Sequence, residues 1–173
     1  EERAFFICDS LKNVTLPDGI VSIGPYAFFS CKSLSDISLP GTLTEIGDGA
    51  FSLCKSLSDI HLPDTLIEIG SGAFDSYSSL TSVTIPGSTR KIGDAPFGSC
   101  TISVSPDNPR FEVIDGALFD KEERRLIAYP EVLDNHSYNI PNGTVTIGRE
   151  AFSYGKLTSV TIPDSVKYIS EFA

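Results

Sequence analysis

The chain has 173 residues, of which 40% are hydrophobic and 21% charged, and it carries a formal net charge of -10. That length fits one domain or one stretch of a larger assembly, and no apolar run approaches the roughly 18 residues that read as a membrane span. The acidic balance disfavours nucleic acid and anionic membrane surfaces, which are bound by neutralising phosphates, and with no Met, no Trp and 2 His the composition reads as a scaffold more than an enzyme.

The cysteines open the pattern. Cys8, Cys31, Cys54 and Cys100 are separated by 23, 23 and 46 residues, and Tyr77 stands midway in the longest gap, where a fifth would fall. Zinc ligands usually come as close pairs two to four residues apart, and a disulfide framework shows no single period of this kind. The period belongs to the whole chain. Ala-Phe pairs fall at Ala4-Phe5, Ala27-Phe28, Ala50-Phe51, Ala73-Phe74 and Ala151-Phe152, with Pro96-Phe97 as a variant. Prolines recur at Pro17, Pro40, Pro63, Pro86, Pro141 and Pro163, and Ile-Gly pairs at Ile23-Gly24, Ile46-Gly47, Ile69-Gly70, Ile92-Gly93 and Ile147-Gly148.

A unit of 23 residues is too short to enclose a core, so its apolar positions must stack on those of the units before and after it, which makes a solenoid. From Ser82 to Ile85 apolar and small polar residues alternate, the period-2 signature of a half-buried strand with Val83 and Ile85 inward and Ser82 and Thr84 outward. Pro86 ends that strand because it has no N–H for the ladder. The glycine of each Ile-Gly pair is expected to supply a positive φ at a corner, and the segment through Ala-Phe to Cys a short helix or 3₁₀ turn. Phe is the wedge between sheet and turn, and the small Ala beside it admits the next coil.

This consensus, best seen from Leu39-Pro40 through Leu57, resembles leucine-rich repeats of the BspA-like type, over residues 1–100 and 140–173. The resemblance implies a right-handed solenoid with a parallel sheet on one face and short helical or 3₁₀ turns. It also implies a secreted or cell-surface module for adhesion or protein recognition, with a host matrix or cell-surface protein as partner. The ends enter and leave the repeat near its Ala-Phe landmark without a polar cap, so residues 1–173 are expected to form one solenoid that is a piece of a longer array.

After Cys100 the pattern fails, since Ser103 stands where Leu is expected and the next Ile-Pro is Ile140-Pro141. The turn cluster Ser105-Pro106-Asp107-Asn108-Pro109 opens this region. Phe111 to Ile114 and Ala117 to Phe119 then read as two strands joined by Asp115-Gly116, whose residue types suit a type I′ hairpin. Residues 101–139 are accordingly expected to form a β-meander interrupting the array, with Asp115 and Gly116 at a tip that is a candidate recognition element. The alternative is a degenerate coil that only continues the core.

Chemistry is weighed against packing at each candidate. Stacked cysteines are within reach of a disulfide, yet free Cys is among the most buried residue types, so reduced core rungs are the first reading, ahead of a strained bridge or a metal. His61, with Asp59 beside it and Asp36 and Ser38 one unit earlier, offers nucleophile and base types on paper, but the same column elsewhere carries Thr15, Thr84 and Thr161. His136 reads as a solvated loop residue. The outward pairs Asn13/Thr15, Asp36/Ser38, Asp59/His61, Ser82/Thr84 and Ser159/Thr161 are expected to form one polar, locally acidic sheet face without aromatic platforms for sugars. Glu45, Asp48 and Glu68 are assigned to solubility.

Sequons stand at Asn13, Asn135 and Asn142. No phosphate loop, nucleophile elbow, metal motif or cofactor fingerprint occurs. The expected function is noncatalytic protein recognition, with a structural spacer inside a larger surface protein, with or without a separate catalytic domain, as the alternative.

Overall fold

A computed structural model describes residues 1–75, 79–153 and 155–173. Tyr77, the expected substitute in the cysteine column, lies outside the described residues. The chain winds as a β-solenoid whose coils carry three columns.

The front column holds the strands whose alternation the sequence displays. Asn13–Thr15 pairs in parallel with Asp36–Ser38, Ser82–Ile85 with Thr101–Val104, and Ser137–Asn139 with Ser159–Thr161. Val83 and Ile85 are buried while Ser82 and Thr84 face solvent. A second, flank column follows each front strand after the proline. Ser22–Ile23, Glu45–Ile46, Glu68–Ile69 and Lys91–Ile92 form a four-stranded parallel sheet in which Ile23, Ile46, Ile69 and Ile92 lie in register. Parallel pairing thus runs along two sides of the coil, where the sequence pointed to one.

The turn column carries Ala-Phe. Of the short helix or 3₁₀ turn expected here, the structure forms, among the described residues, no helix but separate i→i−3 hydrogen-bonded turns, and the reason is the direction of the N–H groups. Ala27, Phe29 and Cys31 donate within the coil, to Gly24, Tyr26 and Phe28. The alternating residues Tyr26, Phe28 and Ser30 donate instead to the Asp48, Ala50 and Ser52 carbonyls of the next coil. A helix needs every N–H for its own axis; here half of them hold the coils together. This alternation brings positive φ at matching positions, including Tyr26, Gly49, Gly72 and Ala95.

The Ile-Gly glycines are a correction to the sequence reading. Their φ values are not left-handed, and the positive φ sits two residues later, at Gly49 and Gly72. The pair's glycine answers a close approach. A Cβ on Gly47 would lie 2.7 Å from the Pro25 nitrogen and 2.9 Å from the Gly24 carbonyl carbon of the preceding coil.

Phe28, Phe51, Phe74 and Phe97 stack face to face inside the coils, and exposed Phe5 continues the stack at its first coil, with centroids 5.1–5.7 Å apart. Burying each of the four inner rings contributes roughly 1.5–3 kcal/mol. The aromatic ladder gives the first, larger core a continuous spine, and a second cluster gathers Tyr129, Tyr138, Ile140 and Ile147.

The irregular region has two causes. First, Thr101–Val104 still pairs with Ser82–Ile85, but at a spacing of 19 residues, so this coil is four residues shorter than the 23-residue spacing seen between Asn13 and Asp36. Ser103 therefore lies on the outward face, opposite Thr84, and is not a failed core position. Second, Phe111–Ile114, Ala117–Asp120 and Arg125–Ala128 run antiparallel in sequence, and the last of them pairs in parallel with Thr146–Ile147, which pairs with Tyr168–Ile169. Asp115 and Gly116 turn this hairpin with φ of 50° and 86°, the signs a type I′ turn requires.

Buried Asn108 clasps the start of this excursion. Its Nδ2 donates to the Pro86 and Thr89 carbonyls, at 2.6 and 3.2 Å, and its Oδ1 accepts from the Arg110 and Phe111 N–H groups, both at 2.9 Å. Arg110 Nε then donates to buried Asp120 at 2.8 Å, and Arg125 pairs with Asp94 of the preceding coil.

Two stability outcomes follow from these contacts, both read from urea midpoints. Gly47→Ala is expected to cost about 2–3 kcal/mol by overpacking, whereas Gly41→Ala, where nothing lies within 4 Å of the added carbon, is expected to change stability by less than about 1 kcal/mol. Asn108→Ala is expected to cost about 3 kcal/mol through unpaired buried groups, and to speed hydrogen exchange at Phe111–Ile114.

Candidate functional site

The front face is not one sheet. The paired strands around Asp36 and around Ser82 are separated by residues 59–62, which stay extended enough to bury Ile60 and Leu62 but lie outside the ladder. Beside them the Thr81 N–H reaches the Ser58 carbonyl at 3.4 Å. With that backbone drawn out of register, a shallow groove of about 390 Å³ opens over Asp59, His61, Asp64, Ser82, Thr84, Ser105 and Pro106. Among the described residues its lining contains carboxylates, hydroxyls and an imidazole, and neither Lys nor Arg.

The structure brings Asp59, His61, Ser82 and Thr84 together along this groove. Asn13 and Thr15 lie opposite Asp36 and Ser38 on the neighbouring ladder, all exposed. Ser159 and Thr161 belong to a separate ladder, opposite Ser137 and Asn139. Asp115 and Gly116 sit apart, at the hairpin tip of the other sheet; Asp115 is exposed, while Gly116 packs against the Leu133 side chain. Sequence reasoning missed Asp64, Ser105 and Pro106. Ser105-Pro106 reads as a turn, and only the shortened coil delivers that turn to the groove mouth.

Several other candidates resolve into packing or linkage. Among the described residues no hydrogen bond joins His61 to Asp59 or Ser38, so the side chains are not arranged as nucleophile and base. Asp48, assigned to solubility, is a structural acceptor: its Oδ1 takes the Ser71 N–H at 2.7 Å, and Ser71 Oγ takes the Asp94 N–H at 3.2 Å one coil on. Glu68 pairs with Lys91 across the flank strands, and Glu45 stays exposed opposite Glu68. The His136 carbonyl accepts from the Thr158 N–H and hydroxyl, at 2.8 and 2.9 Å.

All four cysteines are free thiols, with Cys31, Cys54 and Cys100 buried and Cys8 half-buried. The Cys31 and Cys54 Sγ–H groups donate to the Phe5 and Phe28 carbonyls, each at 3.1 Å. Burial pushes the Cys54 and Cys100 thiols up to about 12 and raises that of Cys31 as well. Desolvation disfavours the thiolate, the form that reacts and binds metals.

Such a stack of short coils, with two parallel strand columns and an aromatic spine, defines a leucine-rich-repeat solenoid. The BspA type leucine rich repeat region matches residues 1–124 and 128–173, in six copies. The chain belongs to that family. Among solved structures it is similar to a leucine-rich repeat protein from Eubacterium ventriosum, at 28% identity and TM-score 0.76 over 94% of this chain and 50% of that one. It is also similar to a leucine rich cell surface protein from Faecalibacterium prausnitzii, at 31% identity and TM-score 0.74 over 97% and 53%. The pneumococcal vaccine antigen PcpA matches at 26% identity and TM-score 0.71, over 94% and 47%. The chain thus spans about half the length of these relatives. No curated protein matches it.

The cysteine environments set an expected reactivity. At pH 8 iodoacetamide should label Cys8 readily in the native protein and Cys31, Cys54 and Cys100 only in denaturant, as read by mass spectrometry of the intact chain; fast native labelling of Cys54 or Cys100 would contradict the buried column.

Proposed function

We propose that this chain is a noncatalytic recognition module of a secreted or cell-surface protein, binding a protein partner with basic residues across the front face. The observation that carries this reading is the acidic groove over Asp59, His61 and Asp64, whose described lining residues include neither Lys nor Arg. The net charge of -10 adds a long-range attraction for such a partner. Asp36, Ser38, Asn13 and Thr15 extend the surface along the neighbouring ladder, and the hairpin tip at Asp115 is a second, separate contact. A surface location is supported by the names of two relatives, a cell surface protein and a vaccine antigen. Proteins of a host matrix or cell surface are the partner class this location implies.

The test is saturable binding of the purified chain to immobilised matrix proteins. Replacing Asp59 and Asp64 together with Lys is expected to weaken that binding about tenfold, chiefly through slower association, and to flatten its salt dependence. Binding unchanged by this charge reversal would exclude the front groove, and no saturable binding at all would favour a spacer role.

A further inference from the structure

The turn column is interrupted where the meander joins it. The Phe74 N–H donates to the Pro96 carbonyl at 2.9 Å, and the Tyr129 N–H to the Ala151 carbonyl at 2.7 Å. Between these coils, among the described residues, no backbone hydrogen bond joins 94–98 to 128–131. The aromatic spine stops at the same place. Phe97 stacks on Phe74 at 5.7 Å, while Tyr129 turns away to meet Tyr138 at 4.8 Å and Phe152 at 5.6 Å. The turn column here thus lacks the ring-on-ring and N–H-on-carbonyl contacts of the coils before it, although buried Ala128 still packs in the first core.

A cleft of about 210 Å³ occupies this seam. Its floor is apolar, formed by Phe97, Ala128 and Pro130, and its half-buried rim carries Asp75, Glu131 and Glu150, with no Lys or Arg among the described lining residues. Glu131 accepts from the Ser99 hydroxyl at 3.0 Å, and Glu150 pairs with Arg149 at 3.3 Å, at the surface. No described residue donates to the Asp75 carboxylate. The volume lies below the roughly 300 Å³ at which small-molecule sites begin, so it suits a single long side chain.

We propose that this seam cleft receives an arginine side chain of a protein partner, the aliphatic stem lying on Phe97 and Pro130 and the guanidinium among Asp75, Glu131 and Glu150. This rests on the recognition reading above but places a specific contact on a different side of the coil. Arginine fits better than lysine for two reasons. Its planar fork of five donors satisfies several carboxylate oxygens at once, and it is more weakly hydrated than a compact ammonium, so it enters a half-apolar site with less loss of solvation. An apolar floor under an acidic rim matches a side chain that is itself apolar along its stem and cationic at its tip.

The experiment is a titration of the ¹⁵N-labelled chain with the blocked tripeptide acetyl-Gly-Arg-Gly-amide, followed by amide shifts. Saturable shifts centred on Gly98, Ala128 and Glu131 are expected, with Kd on the order of 1 mM because the rim is half solvated and screened. The lysine tripeptide should bind several-fold more weakly, and the citrulline tripeptide, neutral and nearly isosteric, should give no saturable shift. Glu131→Gln and, separately, Asp75→Asn should each weaken arginine binding at least threefold. Equal binding of the citrulline peptide, shifts that never saturate, or shifts confined to Asp59 and His61 would overturn the proposal. Matrix-protein binding that persists while the cleft stays silent would sink this inference and leave the front-groove reading standing.

Discussion

Everything in this molecule depends on one distance, the spacing of about 4.8 Å that backbone hydrogen bonds impose between neighbouring strands. Because coils are joined by N–H groups of the turn column as well as by two strand columns, that spacing holds around most of the coil. Each residue must then tolerate its own counterpart on the next turn. Phenylalanine does so readily, since stacked rings at 5.1–5.7 Å fill the interval. Glycine is needed beside each Ile because a Cβ would meet backbone of the preceding coil within 3 Å. Glu45 opposite Glu68 shows the opposite case, a like-charge contact that Lys91 relieves on one side.

The same rule explains where burial comes from. Ile147 is 2% exposed, while Ile169, its partner in the next coil, is 61% exposed, although both occupy the same position of the repeat. A coil does not bury its own apolar face; the next coil does. Cysteine in such a column is a small hydrophobe with a weak donor, and its thiol is held neutral by desolvation, with the Cys31 and Cys54 groups resting on carbonyls one coil away.

Features of functional interest arise where the spacing is relaxed. Residues 59–62 leave the front ladder, the following coil is short by four residues, and together these place Ser105 and Pro106 beside Asp59 and His61. Further along, the meander substitutes antiparallel strands for a coil, and the aromatic spine does not cross it. Asn108, bonded to the Pro86 and Thr89 carbonyls, and Arg125, paired with Asp94, reach across that junction. Polar side chains thus add to the buried packing of Phe111, Leu118, Ile127 and Ala128 against the first core, and a cleft lies between Phe97 and Tyr129.

The sequence by itself determined the solenoid, its period, the inward and outward residues of Ser82–Ile85, and the hairpin at Asp115-Gly116, because each of these is a local pattern repeated or a turn chemistry carried by adjacent residues. It misassigned the role of the Ile-Gly glycines and left a short helix and a 3₁₀ turn both open at Ala-Phe, since both depend on the neighbouring coil: a steric clash 23 residues away and N–H groups aimed outward are invisible in one unit. The outward column was legible as a set of residues, but its division into separate ladders was not. Only the tertiary structure decided that Asp59, His61, Ser82 and Ser105 share a groove and that Asp75, Glu131 and Glu150 share a cleft, because both sites come from departures in coil spacing, and spacing between coils is a property of the stack.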